Sequence, residues 1–163
     1  MECAVYRVPM RHPGDAAGIV ELIESGGLVP SEIVAILGKT EGNGCVNDFT
    51  RAYAVSALST ALAPRLGIAA DDVPARVAMV MSGGTEGGLS PHFLVFAVGG
   101  RGTPVPGAKR LALGTARTRR FKPEEIGRVA QAEATAGACA RRSPPPRSKT
   151  TATSIGSRSN VHC

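Results

Sequence analysis

Two residues able to do acyl-transfer chemistry stand at the head of two glycine-rich segments. Lys39 lies in Gly38-Lys39-Thr40-Glu41-Gly42-Asn43-Gly44, and Ser82 opens Ser82-Gly83-Gly84-Thr85-Glu86-Gly87. A serine hydroxyl is a poor nucleophile until a base takes its proton, and a lysine is such a base when its surroundings keep the amine neutral. Each segment follows a short apolar run, residues 33–37 and 77–81, long enough for a buried strand and too short for a helix. The ends of neighbouring strands lie side by side, so Lys39 and Ser82 could close into a dyad. The glycines after Ser82, Gly83 first, would leave backbone N–H groups open to a carbonyl oxygen or an oxyanion. Arg51, early in the segment after the first loop, carries a planar fork of donors suited to an imide or a carboxylate. Taken singly, each feature also fits an ordinary turn or a solvated lysine.

The elements that must position these residues follow from period and punctuation. Residues 4–8 alternate as a strand, closed by Pro9, Pro13 and Gly14. Asp15 is placed to cap a helix running through about Glu24, with Ile19, Leu22 and Ile23 on one face and Gly26-Gly27 as its stop. A second helix is expected from Asn47 or Asp48 to Leu62, turning Tyr53, Ala57 and Leu58 inward, with Pro64 and Gly67 beyond it. Residues 77–81 and 93–98 complete the strands. The order strand, helix, strand, helix, strand, strand predicts an α/β unit, one sheet with two packed helices, over residues 1–98. Residues 99–108, rich in Gly and Pro, read as a linker. Residues 109–138 read as the start of a second unit: a strand at 109–116, then a helix opened by Pro123-Glu124-Glu125.

Composition narrows the function classes. With four Phe, two Tyr and no Trp in 163 residues, a core here must rest on Ala, Val, Leu and Ile. No apolar run is long enough to span a bilayer and the first residues lack the pattern of a secretory signal, so the expectation is a cytoplasmic protein without a membrane partner. Four scattered cysteines with no C-x-x-C pair, and His12, His92 and His162 without ligand spacing, suggest neither a metal site nor a cofactor. Leu37-Gly38-Lys39-Thr40 is the end of a phosphate-binding loop pattern, but that pattern requires Gly at position 33, where this chain has Ile33. The net charge of +6 is unevenly held: residues 1–100 carry six Lys/Arg against ten Asp/Glu, and residues 101–163 carry thirteen against three. A basic tail of this kind usually suggests binding to nucleic acid or to an acidic surface.

Read together, residues 38–51 and 81–92 resemble the first-repeat motifs of the cyanuric acid hydrolase and barbiturase family of ring-opening amidohydrolases. The resemblance runs from about Tyr6 to about Ala138 and includes residues 123–128. It implies one complete repeat of a fold of three similar α/β repeats around a pseudo-threefold axis, each supplying a Ser, a Lys and an Arg. The implied reaction is hydrolytic opening of a cyclic imide by a Ser-Lys mechanism: cyanuric acid to carboxybiuret and then biuret, or barbiturate to ureidomalonate. Carried over by motif, Lys39 and Ser82 are this repeat's dyad, while Arg51, Ser82 and Gly83 hold ring oxygens. The family's nucleophile is assigned to the second repeat and its structural metal to the third. Family members are expected to be homo-oligomers, tetramers, acting on a small cyclic imide with no nucleic acid involved.

After Ala138 the text changes to Cys139-Ala140-Arg141-Arg142-Ser143-Pro144-Pro145-Pro146 and a Ser/Thr/Arg-rich end. Read one base earlier, the codons from Gly156 onward permit Val-Gln-Val-Lys-Cys-Pro-Leu-Leu, the kind of segment that supplies the second-repeat lysine in the family. Residues 139–163 are therefore expected to be out-of-frame text and, being proline-rich and poor in apolar residues, disordered. On this reading the basic tail needs no nucleic-acid partner, and the truncated chain keeps only part of the substrate site.

Overall fold

The computed structural model describes residues 3–83, 88–99 and 116–142. The chain divides into two compact units, Met1–Pro104 and Val105–Cys163.

The first unit is a four-stranded sheet built from β1 (Cys3–Pro9), β2 (Ile33–Lys39), β3 (Ala78–Ser82) and β4 (His92–Val98), in the order β1-β4-β2-β3. β2 and β3 are parallel, joined through the helix α2 (Thr50–Leu66), whereas β4 runs antiparallel to both β1 and β2. The helix α1 (Ala17–Glu24) lies between β1 and β2 in the chain. This is the α/β unit expected from the sequence.

Its core is made by one face of each element. Along β4, Phe93, Val95 and Ala97 are buried at alternate positions, as the two-residue period of a strand requires. Ile33 and Ile36 on β2 are both fully buried although they stand three positions apart, an odd step that would put them on opposite faces of a regular strand. An irregularity in the β2–β4 register between Ile33 and Ala35 absorbs the extra residue and returns both to the same face. α2 contributes Ala54, Leu58 and Leu62, four residues apart on one stripe, and α1 contributes Ile19. Leu58→Ala removes a fully buried side chain from the centre of this cluster. It is expected to lower stability by about 2–5 kcal/mol, measured as the shift in urea unfolding midpoint.

Several boundaries differ from those expected. Asp15 lies one position outside the conventional cap, since Ala16 is the N-cap of α1, yet its carboxylate accepts the Ala17 N–H at 3.2 Å and so still closes that helix end. α2 starts at Thr50 rather than Asn47 or Asp48, and it carries Pro64 within its last turn before ending on Gly67 in the left-handed conformation. Proline's missing N–H costs one helical bond only, and Arg65 Nη1 donates to the Ala61 carbonyl at 2.9 Å in the same turn. Tyr53 is 48 % exposed, not inward. Its ring covers Gly14, where an added Cβ would lie 2.6 Å from it. A short helix α3 (Val73–Arg76) precedes β3 and buries Val73.

In the second unit, Pro123–Glu125 is a single 3-10 turn rather than the start of a helix. Glu125 folds back to accept the Lys122 N–H and to pair with Arg119, which lowers its carboxyl to about 2, chiefly through the Arg119 hydrogen bond. Gly127 then breaks the chain direction at φ +73°, and α4 runs from Val129 to Arg142. α4 therefore extends through Cys139, Ala140 and Arg141, residues assigned above to a disordered tail; these small and long unbranched side chains sustain a helix already nucleated upstream. The strand expected at 109–116 and the remainder of the tail fall, but for Ala116, outside the described residues.

Candidate active site

The C-terminal ends of β2 and β3 bring the two chemistry-bearing residues together. In the parallel register Lys39 stands opposite Ser82, and across β2's other edge it stands opposite His92. Residues in register share a face of the sheet, so Lys39, Ser82 and His92 form a row on the side away from Gly38, Met81 and Phe93. Gly38 leaves room on the opposite face for the Met81 and Phe93 side chains. An added Cβ there would run into Met81 Sδ and lie 3.0 Å from the Phe93 ring.

Lys39 Nζ donates to Ser82 Oγ at 3.3 Å and to the Gly83 carbonyl at 2.9 Å, with Glu41 Oε1 at 3.8 Å. Its side chain is only 13 % exposed and that of Glu41 10 %. Glu41 takes φ +55°, a left-handed conformation that a residue with a Cβ adopts at a cost of about 1–3 kcal/mol. That backbone turn is what swings the carboxylate beside Lys39.

Beneath this pair sits a second network that the sequence reading missed. Thr40 is buried; its N–H donates to the Ser82 carbonyl at 2.9 Å, and its hydroxyl lies 3.0 Å from that of Thr50. Thr50 Oγ1 donates to Asp48 Oδ1, which also accepts the Thr50 N–H at 2.9 Å. Asp48 Oδ2 accepts the Gly44 N–H at 2.8 Å. The Asp48 side chain is fully buried. Burial alone would push its carboxyl up, but the Thr50 hydroxyl, the two backbone N–H groups and the Arg51 charge outweigh this, and the net direction is down. Asp48 and Thr50 carry the spacing of a carboxylate cap, a signal that could have placed them at the helix start. Nothing local announces the contacts with Gly44 and Thr40.

Arg51 is fastened to the same loop, donating through Nη2 to the Cys45 carbonyl at 2.9 Å, with Nε 3.7 Å from Asp48 Oδ2. Its side chain is 41 % exposed. Among the described residues no hydrogen bond joins it directly to Lys39 or Ser82; the connection runs through Asp48. Gly83 is described and the backbone N–H groups expected of Gly84 and its successors lie outside the described residues.

A sequence model of the amidohydrolase ring-opening protein family matches residues 4–144. The chain belongs to this ring-opening amidohydrolase family. The match carries a few residues past Ala138, where the motif resemblance ends. Among curated relatives, a cyanuric acid amidohydrolase of Bradyrhizobium diazoefficiens is 55 % identical over 137 residues, covering 82 % of this chain and 37 % of its own. One from Pseudomonas sp. strain ADP is 54 % identical, covering 84 % and 38 %. A solved cyanuric acid hydrolase, described as an evolutionary innovation by structural concatenation, superposes with a TM-score of 0.73 at 50 % identity, over 86 % of this chain and 39 % of that one. A cyanuric acid hydrolase from A. caulinodans gives 0.70 at 40 % identity, over 86 % and 37 %. The chain thus spans less than two-fifths of the length of the relatives it matches. No helix among its described residues is long and apolar enough to cross a membrane.

Two buried carboxylates give the first unit a defined acid response. Arg11 donates to Asp15 through Nε at 2.7 Å, and that side-chain bond, with the Arg11 and Ala17 backbone N–H groups, holds the Asp15 carboxyl far below its ordinary value of 3.8. Asp48 is lowered as well. A carboxyl lowered by folding contributes stability that is complete above its unfolded value and lost as pH falls through the folded one. Thermal unfolding followed from pH 6 to pH 2 is expected to show a steady Tm between about 6 and 5 and a decline below about pH 4. Asp15→Asn is expected to flatten that decline.

Proposed function

We propose that the Lys39–Ser82 pair is one repeat's share of a substrate site for a cyclic imide, in an enzyme that opens cyanuric acid by hydrolysis. The observation that carries this reading is the direct contact of Lys39 Nζ with Ser82 Oγ across adjacent strand ends, in a chain 55 % and 54 % identical to two cyanuric acid amidohydrolases over the matched residues. Ring opening requires a nucleophilic oxygen to attack a ring carbonyl, the C–N bond to break with the proton passing to the departing nitrogen, and water to release the acyl group. The carboxybiuret so formed loses carbon dioxide to give biuret.

Lys39, Ser82 and Gly83 suit the binding side of this chemistry. Lys39 directs N–H groups at Ser82 Oγ and the Gly83 carbonyl, and the Glu41 carboxylate beside it complements an ammonium. With Oγ accepting from Lys39, the Ser82 hydroxyl would exchange its long 3.4 Å bond to the Gly83 carbonyl for one to a ring oxygen. The same Nζ–Oγ contact would let a neutral amine take that proton, which is the Ser-Lys chemistry assigned to the dyad bearing the nucleophile. Arg51 would reach a further ring oxygen from the exposed side.

A second reading has its own support: these residues cover 37–38 % of the relatives' length. A site assembled from several repeats is then only partly present, and the chain as given binds without turning over. Both readings are tested by replacing the matching segment of the Pseudomonas relative with residues 4–138 of this chain and assaying biuret release from cyanuric acid, with barbiturate in parallel. The chimera is expected to be active on cyanuric acid and the isolated chain inactive. A folded chimera with no turnover would overturn the first reading, and turnover by the isolated chain would overturn the second.

A further inference from the structure

Asp48 does more than begin a helix. Its two carboxylate oxygens serve different segments: Oδ1 receives both the N–H and the hydroxyl of Thr50 at the start of α2, while Oδ2 receives the N–H of Gly44 at the far end of the Lys39 loop. The same side chain fills the space left by two glycines. An added Cβ at Gly42 would collide with Asp48 Oδ1, and one at Gly83 with Asp48 Oδ2. Both glycine-rich loops therefore close over one buried carboxylate. From Thr50 the network continues through the Thr40 hydroxyl at 3.0 Å, and the Thr40 N–H binds the Ser82 carbonyl at 2.9 Å.

We infer that Asp48 is a positioning residue, a latch that sets the Lys39 loop against the Ser82 loop and so fixes the Lys39–Ser82 geometry without touching substrate. The inference rests on the binding role proposed above for that pair.

The chemistry of the site requires a carboxylate at 48. Each oxygen faces a backbone N–H, so an asparagine, whichever way its amide is turned, would set an NH₂ group against a donor. A glutamate would need room that the Gly42 and Gly83 contacts do not leave. Serine separates the two functions. Its hydroxyl can accept the N–H two residues on and so cap α2, but it is too short to hold Gly44 as well.

The test compares wild type, Asp48→Ser and Asp48→Asn in the full chain. The readouts are thermal unfolding, amide exchange at Gly44, backbone resonances of Ser82 and Gly83, and the dissociation constant for cyanuric acid. A latch predicts that Asp48→Ser, which keeps the bond to the Thr50 N–H, still folds cooperatively and loses less stability than Asp48→Asn, while exchange at Gly44 rises at least tenfold, the Ser82 and Gly83 resonances move, and cyanuric acid binding weakens at least tenfold. Asp48→Asn should show the same loop changes with a larger loss of stability. If Asp48→Ser leaves the Ser82 and Gly83 resonances and the affinity unchanged, Asp48 is a helix cap only and the inference is wrong. If wild type itself binds no cyanuric acid, the proposed function fails, and the resonances and exchange rates still decide the latch. Should Asp48→Asn not fold, Asp48→Ser carries the comparison.

Discussion

Replacing Lys39 by methionine in the active chimera is expected to lower kcat/KM for cyanuric acid by roughly 10- to 100-fold, the effect of removing a charged donor worth about 1.5–3 kcal/mol. Methionine keeps the length and much of the volume of the lysine stem, so the end of β2 should hold its place. What is lost is the donor to Ser82 Oγ and Gly83 O, and the cation 3.8 Å from Glu41. Ser82 Oγ already donates to the Gly83 carbonyl at 3.4 Å, and without Lys39 nothing competes for that carbonyl, so the hydroxyl proton stays there instead of passing to a ring oxygen. If this pair binds rather than attacks, most of the loss appears in KM. A loss confined to kcat would instead make Ser82 the nucleophile. Lys39→Arg is not expected to rescue, because a planar fork cannot reproduce the two divergent bonds of a compact ammonium.

The second large effect is expected at Gly83. Its backbone carries no left-handed conformation among those found in the chain, so the case is steric. A methyl group there would press on Asp48 Oδ2 and lie 3.0 Å from the Gly42 carbonyl oxygen and 3.2 Å from its carbon. Neither neighbour can yield cheaply: one is backbone, and the other is a carboxylate held by three N–H or O–H donors. Gly83→Ala is expected to cost about 1–3 kcal/mol of stability, as overpacking does. It should also separate the two loops, weakening ligand binding at least tenfold. Urea unfolding of the isolated chain and titration with cyanuric acid measure the two losses independently. A variant of wild-type stability and affinity would remove the close packing of the loops from this account.

Much of this arrangement was legible in the residues. Apolar runs of strand length before Lys39 and Ser82, with one long helix between them, all but require parallel neighbours, and parallel neighbours place those two residues side by side. The helix stripe through Leu58 was visible for the same reason, as period. Tyr53 was misjudged because hydropathy treats a tyrosine as inward, whereas the bare surface of Gly14 offers it a partly exposed seat. Pro123 opens a turn and not a helix because Arg119 and the Lys122 N–H capture Glu125. Asp48 was passed over as one more polar residue at a helix start. Its importance depends on Gly44 and Gly83, and the second of these is brought near only by the folding of the sheet. Glu41 was hidden in the same way, by a backbone conformation that its residue type does not favour.

Lys39, Ser82 and Gly83, with Arg51 beside them, are proposed to form one repeat's binding surface for a cyclic imide. The most direct test is to titrate cyanuric acid into the isotopically labelled chain while following its amide and lysine side-chain resonances. Saturable shifts are expected at Lys39, Ser82, Gly83 and Arg51, abolished by Ser82→Ala and absent from β1 and α4. Shifts confined to other residues, or unchanged when Ser82 is replaced, would contradict the account.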